Sequence, residues 1–119
     1  MTEEDKEVLF VDLCARLPYN TIVRSFIGES GEQDEILGCV HIINFYAYDC
    51  RPYLRPIISM TEDEFKKLDE LIRLYRCNVV DKLSVFCKTL DYLNSIHVDY
   101  RGLIEKGLAI EAPEGMYSN

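Results

Sequence analysis

Apolar residues recur at Val8, Leu9, Val11, Leu13, Cys14 and Leu17, behind a polar start in which Thr2 precedes Glu3, Glu4 and Asp5. A hydroxyl ahead of acids marks a helix N-terminus, where the side chain caps free N–H groups and the helix dipole favours negative charge. Pro18 pushes the residue before it out of the helical region, so the pattern predicts a helix over residues 3–16. The period then changes. Thr21 to Ile27 is rich in β-branched and aromatic residues and reads as a strand, and Gly28 to Glu35 as a polar loop. Ile36 to Tyr48 reads as a second strand, and its middle, Val40 to Phe45, is apolar enough to be buried by its neighbours. Two strands joined by a short polar loop favour an antiparallel hairpin. A third extended piece, Tyr53-Leu54-Arg55, lies between Pro52 and Pro56, and the prolines confine it to a sheet edge or a loop.

Helical periodicity returns at Thr61-Glu62-Asp63-Glu64, a capping box. Phe65, Leu68, Ile72 and Tyr75 then line one face, and Glu62/Lys66, Asp63/Lys67 and Asp69/Arg73 pair along the other. This predicts a helix over 62–76. Asn78 or Asp81 can cap a further helix over 79–94, with apolar positions Val80, Leu83, Phe86, Cys87, Leu90 and Leu93. Asp99 can cap a short helix through Lys106, after which Gly107 suits the left-handed position and Leu108 folds back as its apolar contact. Residues 111–119 are turn-rich and expected to form a loosely ordered tail. Strands in one stretch and helices in another give the α+β class. The expected architecture is a small antiparallel sheet of two to three strands packed against three to four helices, in one domain over residues 1–119. The helices 62–76 and 79–94 are expected to cover the sheet, with the first helix beside them.

Charge narrows the choice of partner. The formal charge is −8, and residues 1–35 hold nine acids against three bases. Nucleic-acid binding draws on Lys and Arg neutralising phosphates, and anionic membranes attract the same residues. The sequence therefore points to a protein partner, with no direct nucleic acid and no membrane; nothing in the pattern specifies self-association. Five cysteines form an odd set with no zinc-ribbon spacing, which suits a reducing, cytoplasmic setting without structural disulfides. The acidic start lacks the basic, apolar character of a signal peptide.

Catalytic chemistry finds little to hold. Cys39 and His41 would share a strand face, and His97 and Asp99 could join them at a metal, but no spacing selects that set. His41 reads as a hydrogen-bonded strand residue and His97 as a cation at a helix C-terminus. Cys50, between Asp49 and Arg51, is the best placed thiol for reactivity. No phosphate loop, dinucleotide fingerprint or nucleophile elbow occurs. No catalytic residue, metal site or cofactor is therefore assigned. Two segments combine tyrosine and arginine, the residue types enriched at interface hot spots: Tyr48 to Pro56 and His97 to Ile104. Tyr53, Arg55, His97, Asp99, Tyr100 and Arg101 are the interaction candidates, expected on one shared surface. Glu29, Glu32, Asp34 and Glu35 form a candidate acidic patch.

Arg51-Pro52-Tyr53-Leu54-Arg55-Pro56 leading to Ser59-Met60-Thr61-Glu62, then Asp91-Tyr92-Leu93-Asn94, then the long run from His97 to Tyr117, resemble a family of small uncharacterised proteins found in gut anaerobic bacteria and their prophages. The resemblance covers the C-terminal half, residues 51–117. It implies a phage or mobile-element setting and brings no activity or cofactor. The leading expectation is a non-enzymatic interaction or accessory protein. The alternatives are an acidic inhibitor or nucleic-acid mimic acting on a host defence or DNA-processing protein, and a small enzyme built from His97, Asp99, Cys50 and Arg101.

Overall fold

A computed structural model describes residues 1–25, 31–76 and 81–117. Helix α1 spans Glu3–Arg16 and opens on the expected cap: Thr2 Oγ1 accepts from Asp5 N at 3.0 Å, and the Asp5 carboxylate accepts from Thr2 N at 3.3 Å. Strand β1 (Ile22–Ser25) follows; the end of the expected strand, Phe26 and Ile27, lies outside the described residues. Strand β2 is Gln33–Ile36, and α2, Cys39–Ile43, is a short helix where the sequence predicts a buried strand. The reason is visible in the side chains. His41, Ile42 and Phe45 turn inward at helical spacing, and the His41 ring reaches back to accept from Gly38 N at 2.9 Å, capping its own helix. A short apolar run suits either period, and here the cap decides it. The strand that pairs with β1 is instead the polar one. Arg24 faces Asp34 across the ladder, and a charged edge resists pairing with other chains.

Strand β3 (Cys50–Leu54) is an interior strand of a four-stranded mixed sheet, ordered β2-β1-β3-β4, with β4 at Ile110–Glu111. The expected edge strand and the two- or three-stranded antiparallel sheet give way to this arrangement. Proline is tolerated because β1 covers Cys50 to Pro52 on one side, while β4 pairs in parallel with Tyr53 and Leu54 only. Pro52 thus occupies a stretch with a single paired neighbour. Beyond β3, Arg55 continues the ladder with the segment after α4: Arg55 N donates to His97 O and Asp99 N to Arg55 O, both at 2.8 Å.

Helices α3 (Glu62–Arg76) and α4 (Lys82–Ser95) form a hairpin, with Asp81 as the α4 cap; Asn78, the other expected cap, and Val80 lie outside the described residues. They do not cover the sheet. The core gathers Leu9 and Leu13 of α1, Val23, Leu37, Phe45, Cys50, Leu54, and Leu103, Leu108 and Ala109 of the C-terminal turns, with no member from α3 or α4. The hairpin lengthens the molecule to 53 × 29 × 23 Å. The short helix expected after Asp99 is absent, although its punctuation survives. Both Asp99 oxygens accept backbone N–H groups, from Leu103 and Ile104, at 2.9 Å. Gly107 sits at φ +74°, donating to Ile104 O, and Leu108 N donates to Leu103 O. That is the hydrogen-bond pattern of a glycine-ended helix closing a single turn.

The hairpin begins at a reciprocal cap, with Glu64 N donating to Thr61 Oγ1 at 3.2 Å and Thr61 N to Glu64 Oε1 at 2.8 Å. Thr61→Ala removes the hydroxyl and is expected to cost about 1 kcal/mol. The midpoint of urea unfolding checks this, and an unchanged midpoint would show that the cap carries no stability.

Candidate functional site

The Tyr- and Arg-rich segments lie side by side, and their polar atoms are engaged within the fold. Tyr53 is only 3% exposed, and its hydroxyl donates to Asp34 Oδ1 at 2.9 Å. Arg55 uses all five of its N–H donors: on Glu64 in a two-pronged contact at 2.7 and 2.8 Å, and on Ser59 Oγ, Ser59 O and Ile96 O. The paired guanidinium holds the Glu64 carboxyl below its ordinary range. Arg101 donates to Asp12 at 3.1 Å, and the half-buried Tyr100 donates to Asn94 Oδ1 at 2.8 Å while its ring carries the Arg16 and Arg101 guanidinium groups. Arg55, Glu64 and Tyr117 border a cleft of about 720 Å³, together with Glu111 and Glu114. Since Arg55 and Tyr117 are saturated, they close its floor rather than offer it a ligand.

His97 is buried just past the end of α4 at φ +63°, not a solvated cation on a helix terminus. Its Nδ1 lies 3.2 Å from Thr21 Oγ1, and its ring stacks on Tyr117 at 3.8 Å. Burial, aided by the charges of Arg16 and Arg55, lowers its pKa to about 4. The Tyr117 hydroxyl, pushed up to about 12 by burial, donates to Tyr53 O at 2.7 Å and accepts from Ile22 N at 2.9 Å. It thereby ties the C-terminal residues to β1 and β3. His41 is equally occupied: with Nδ1 accepting from Gly38, Nε2 is the nitrogen left to donate to Glu35 at 2.7 Å. Both His41 nitrogens and Nδ1 of His97 are thus engaged within the fold, and among the described residues no group of three His, Cys, Asp or Glu converges to hold a metal.

The acidic patch stays at the surface but is paired within the chain, with Glu32 and Asp34 about half exposed. Asp34 accepts from Tyr53 and Arg24, Glu35 from His41, and Glu32 lies 3.5 Å from Arg24; Glu29 is outside the described residues. Among the thiols, Cys50 is buried and raised to about 12, chiefly by burial and then by the charges of Asp49 and Glu35. It is therefore the inert cysteine, and Cys14, Cys39 and Cys87 are the exposed ones.

Aromatic side chains line a further opening. A second cleft of about 340 Å³ lies between the start of α1 and the loop from Phe45 to Arg51. Phe45 forms its base, stacked among Phe10 and Tyr46 at 5.3 and 5.1 Å, while Tyr46, Tyr48 and nearby Ile43 are exposed. Lys6 and Arg51 stand in its wall, and Arg51 Nε, 3.6 Å from Asp49, makes no hydrogen bond. The segment from Tyr48 to Pro56, singled out for its tyrosines and arginines, supplies Tyr48 to Arg51 of this cleft, whereas Phe45 belongs to the run expected as a strand core. Among the described residues no helix is long and apolar enough to cross a membrane. Compared with protein-family models, curated proteins and solved structures, the chain matches none.

A buried neutral histidine has a pH consequence. The unfolded ring titrates near 6.5 and the folded ring near 4, so between those values the unfolded state binds the extra proton. Stability is therefore whole above pH 6.5 and falls as pH drops toward 4. His97→Asn, whose side chain tolerates positive φ, is expected to flatten that slope in a pH series of unfolding midpoints. An unchanged slope would remove His97 as its source.

Proposed function

We propose that this protein is a non-enzymatic interaction protein, an accessory of the cytoplasm in a phage or mobile-element setting, whose partner is another protein. The observation that carries the reading is the aromatic cleft at residues 45–51. It joins a buried phenylalanine, two exposed tyrosines, Lys6 and the Arg51–Asp49 ion pair. Tyrosine and arginine around a desolvated centre are the composition of binding hot spots. The cleft's volume suits one large apolar side chain, and Lys6 favours a carboxylate beside it. The partner segment therefore pairs an aromatic or aliphatic anchor with an acid. The resemblance of the C-terminal half supports the setting. Catalysis has less support, because His41 and Arg55 are bound into the fold and Cys50 is buried; acidic mimicry also has less support, because Asp34 and Glu35 are each paired with a residue of this chain.

The test is capture of the tagged protein's partners from its host cell, read by mass spectrometry, with the double variant Tyr46→Ala/Tyr48→Ala in parallel. The expected outcome is a protein retained by the wild type and lost by the variant, with the thermal midpoint nearly unchanged. Equal capture by both would overturn the cleft as the binding surface.

A further inference from the structure

The α3–α4 hairpin buries a different stripe from the one its periodicity advertises. Leu71 and Val85 are its buried apolar residues, and Tyr75 packs against Phe86 with ring centroids 6.5 Å apart. Antiparallel packing through Leu71 and Val85 brings the 64/68/71/75 stripe of α3 against the 82/85/89/92 stripe of α4. Helical spacing then places Phe65 and Ile72 of α3 on the same side of the hairpin as Leu83 and Phe86 of α4. These side chains are 45%, 37%, 71% and 50% exposed, and Tyr75 at the seam is 42% exposed. With large apolar side chains spanning roughly 150–250 Å² each, this face exposes on the order of 450 Å² of apolar surface. A standard interface takes about 800 Å² from each partner, a little over half of it apolar. The face therefore has the apolar area of one half of an interface.

Its charges say what covers it. Residues 62–95 carry seven acids and six bases, so the hairpin is nearly neutral while the rest of the chain holds most of the net charge. The two ends of α3 differ in sign: Glu62, Asp63 and Glu64 fill the first turn, and Arg73 and Arg76 the last, while Lys66, Lys67, Asp69 and Glu70 mix the signs between them. A helix acidic at one end and basic at the other complements itself when run antiparallel. We propose that the outer face of the α3–α4 hairpin binds a second copy of this chain. A two-fold axis crosses the middle of α3, so that Phe65 packs on Ile72 of the second copy and Glu62 meets Arg76. The resulting four-helix layer leaves the aromatic cleft free on each body, so self-pairing and partner binding are separate properties.

Sedimentation equilibrium of the full chain tests this. The wild type is expected to be dimeric at micromolar concentration, and Phe86→Asp to weaken association at least 100-fold with an unchanged circular dichroism spectrum. Glu62→Arg and Arg76→Glu alone are each expected to weaken it several-fold, since each sets like charges together twice per dimer. An equimolar mixture of the two restores opposite charges at both contacts and is expected to recover dimerisation as a heterodimer. Tyr46→Ala/Tyr48→Ala dimerises as the wild type does. A wild type that stays monomeric at high micromolar concentration overturns the proposal, even if the face then proves to hold a different protein. A dimer indifferent to Phe86→Asp, or a mixture that does not recover, overturns it as well.

Discussion

Asp12 and Arg16 have no solvent exposure, and their side chains meet at 2.8 Å in the middle of the molecule. An ion pair removed from water is tolerated only when its remaining donors and acceptors also find partners. The rest of the chain is arranged to supply them. Arg16 Nη2 donates to Val98 O at 2.8 Å, Arg101 donates to the other Asp12 oxygen, and the Tyr100 ring lies under both guanidinium groups. One helix of the N-terminal third is thereby fastened to a loop more than eighty residues away. That loop in turn exchanges backbone hydrogen bonds with Arg55, extending β3, and its His97 meets Thr21 ahead of β1. The sheet, α1 and the C-terminal turns are registered against one another through this pair. Arg16 Nη1 remains without a partner, so the network is one acceptor short at its centre.

The helices were legible because their ends are chemical. Thr2, Thr61 and Asp81 cap where the sequence places caps, and α1 and α3 keep the expected bounds. Gly107 and Leu108 close their turn as expected even though no helix precedes them, because that closure needs only one left-handed residue and two carbonyls. Residues 39–43 were not legible. An apolar pentapeptide fits both periods, and the deciding His41 contacts to Gly38 and Glu35 depend on the turn itself being formed. The polar β2 was hidden for a related reason: its pairing rests on Arg24 meeting Asp34 across strands rather than on its own hydrophobicity.

The charged centre was hidden in plain view. Leu9, Asp12, Leu13 and Arg16 occupy a single helical stripe, and all four are buried. An Asp and an Arg four apart look like any solvated helix pair. Their position on the same stripe as two leucines is the only signal that they face the core. The same reasoning explains Tyr53, Arg55 and Arg101. Tyrosine and arginine suit an interface because they combine apolar bulk with hydrogen-bonding ends, and those properties equally suit the seam between a sheet and its loops. Composition identifies a seam; only the fold says whether both of its sides belong to one chain.

Here the seams rich in arginine close within the molecule, and large apolar side chains stand exposed on the α3–α4 hairpin and at the aromatic cleft. Isolated exposed leucines need no explanation, since much of any protein surface is apolar. The argument turns on continuity and period. On α3, Phe65 and Ile72 belong to the amphipathic stripe that the sequence repeats at 3- and 4-residue spacing, yet burial centres on Leu71, one residue away. Leu68 and Tyr75 of that stripe meet α4 while Phe65 and Ile72 stay exposed, so the helix has more apolar periodicity than the monomer uses. With Arg16, Arg55 and Arg101 drawn into contacts within the fold, the exposed stripe and the aromatic cleft are where large apolar side chains reach the surface.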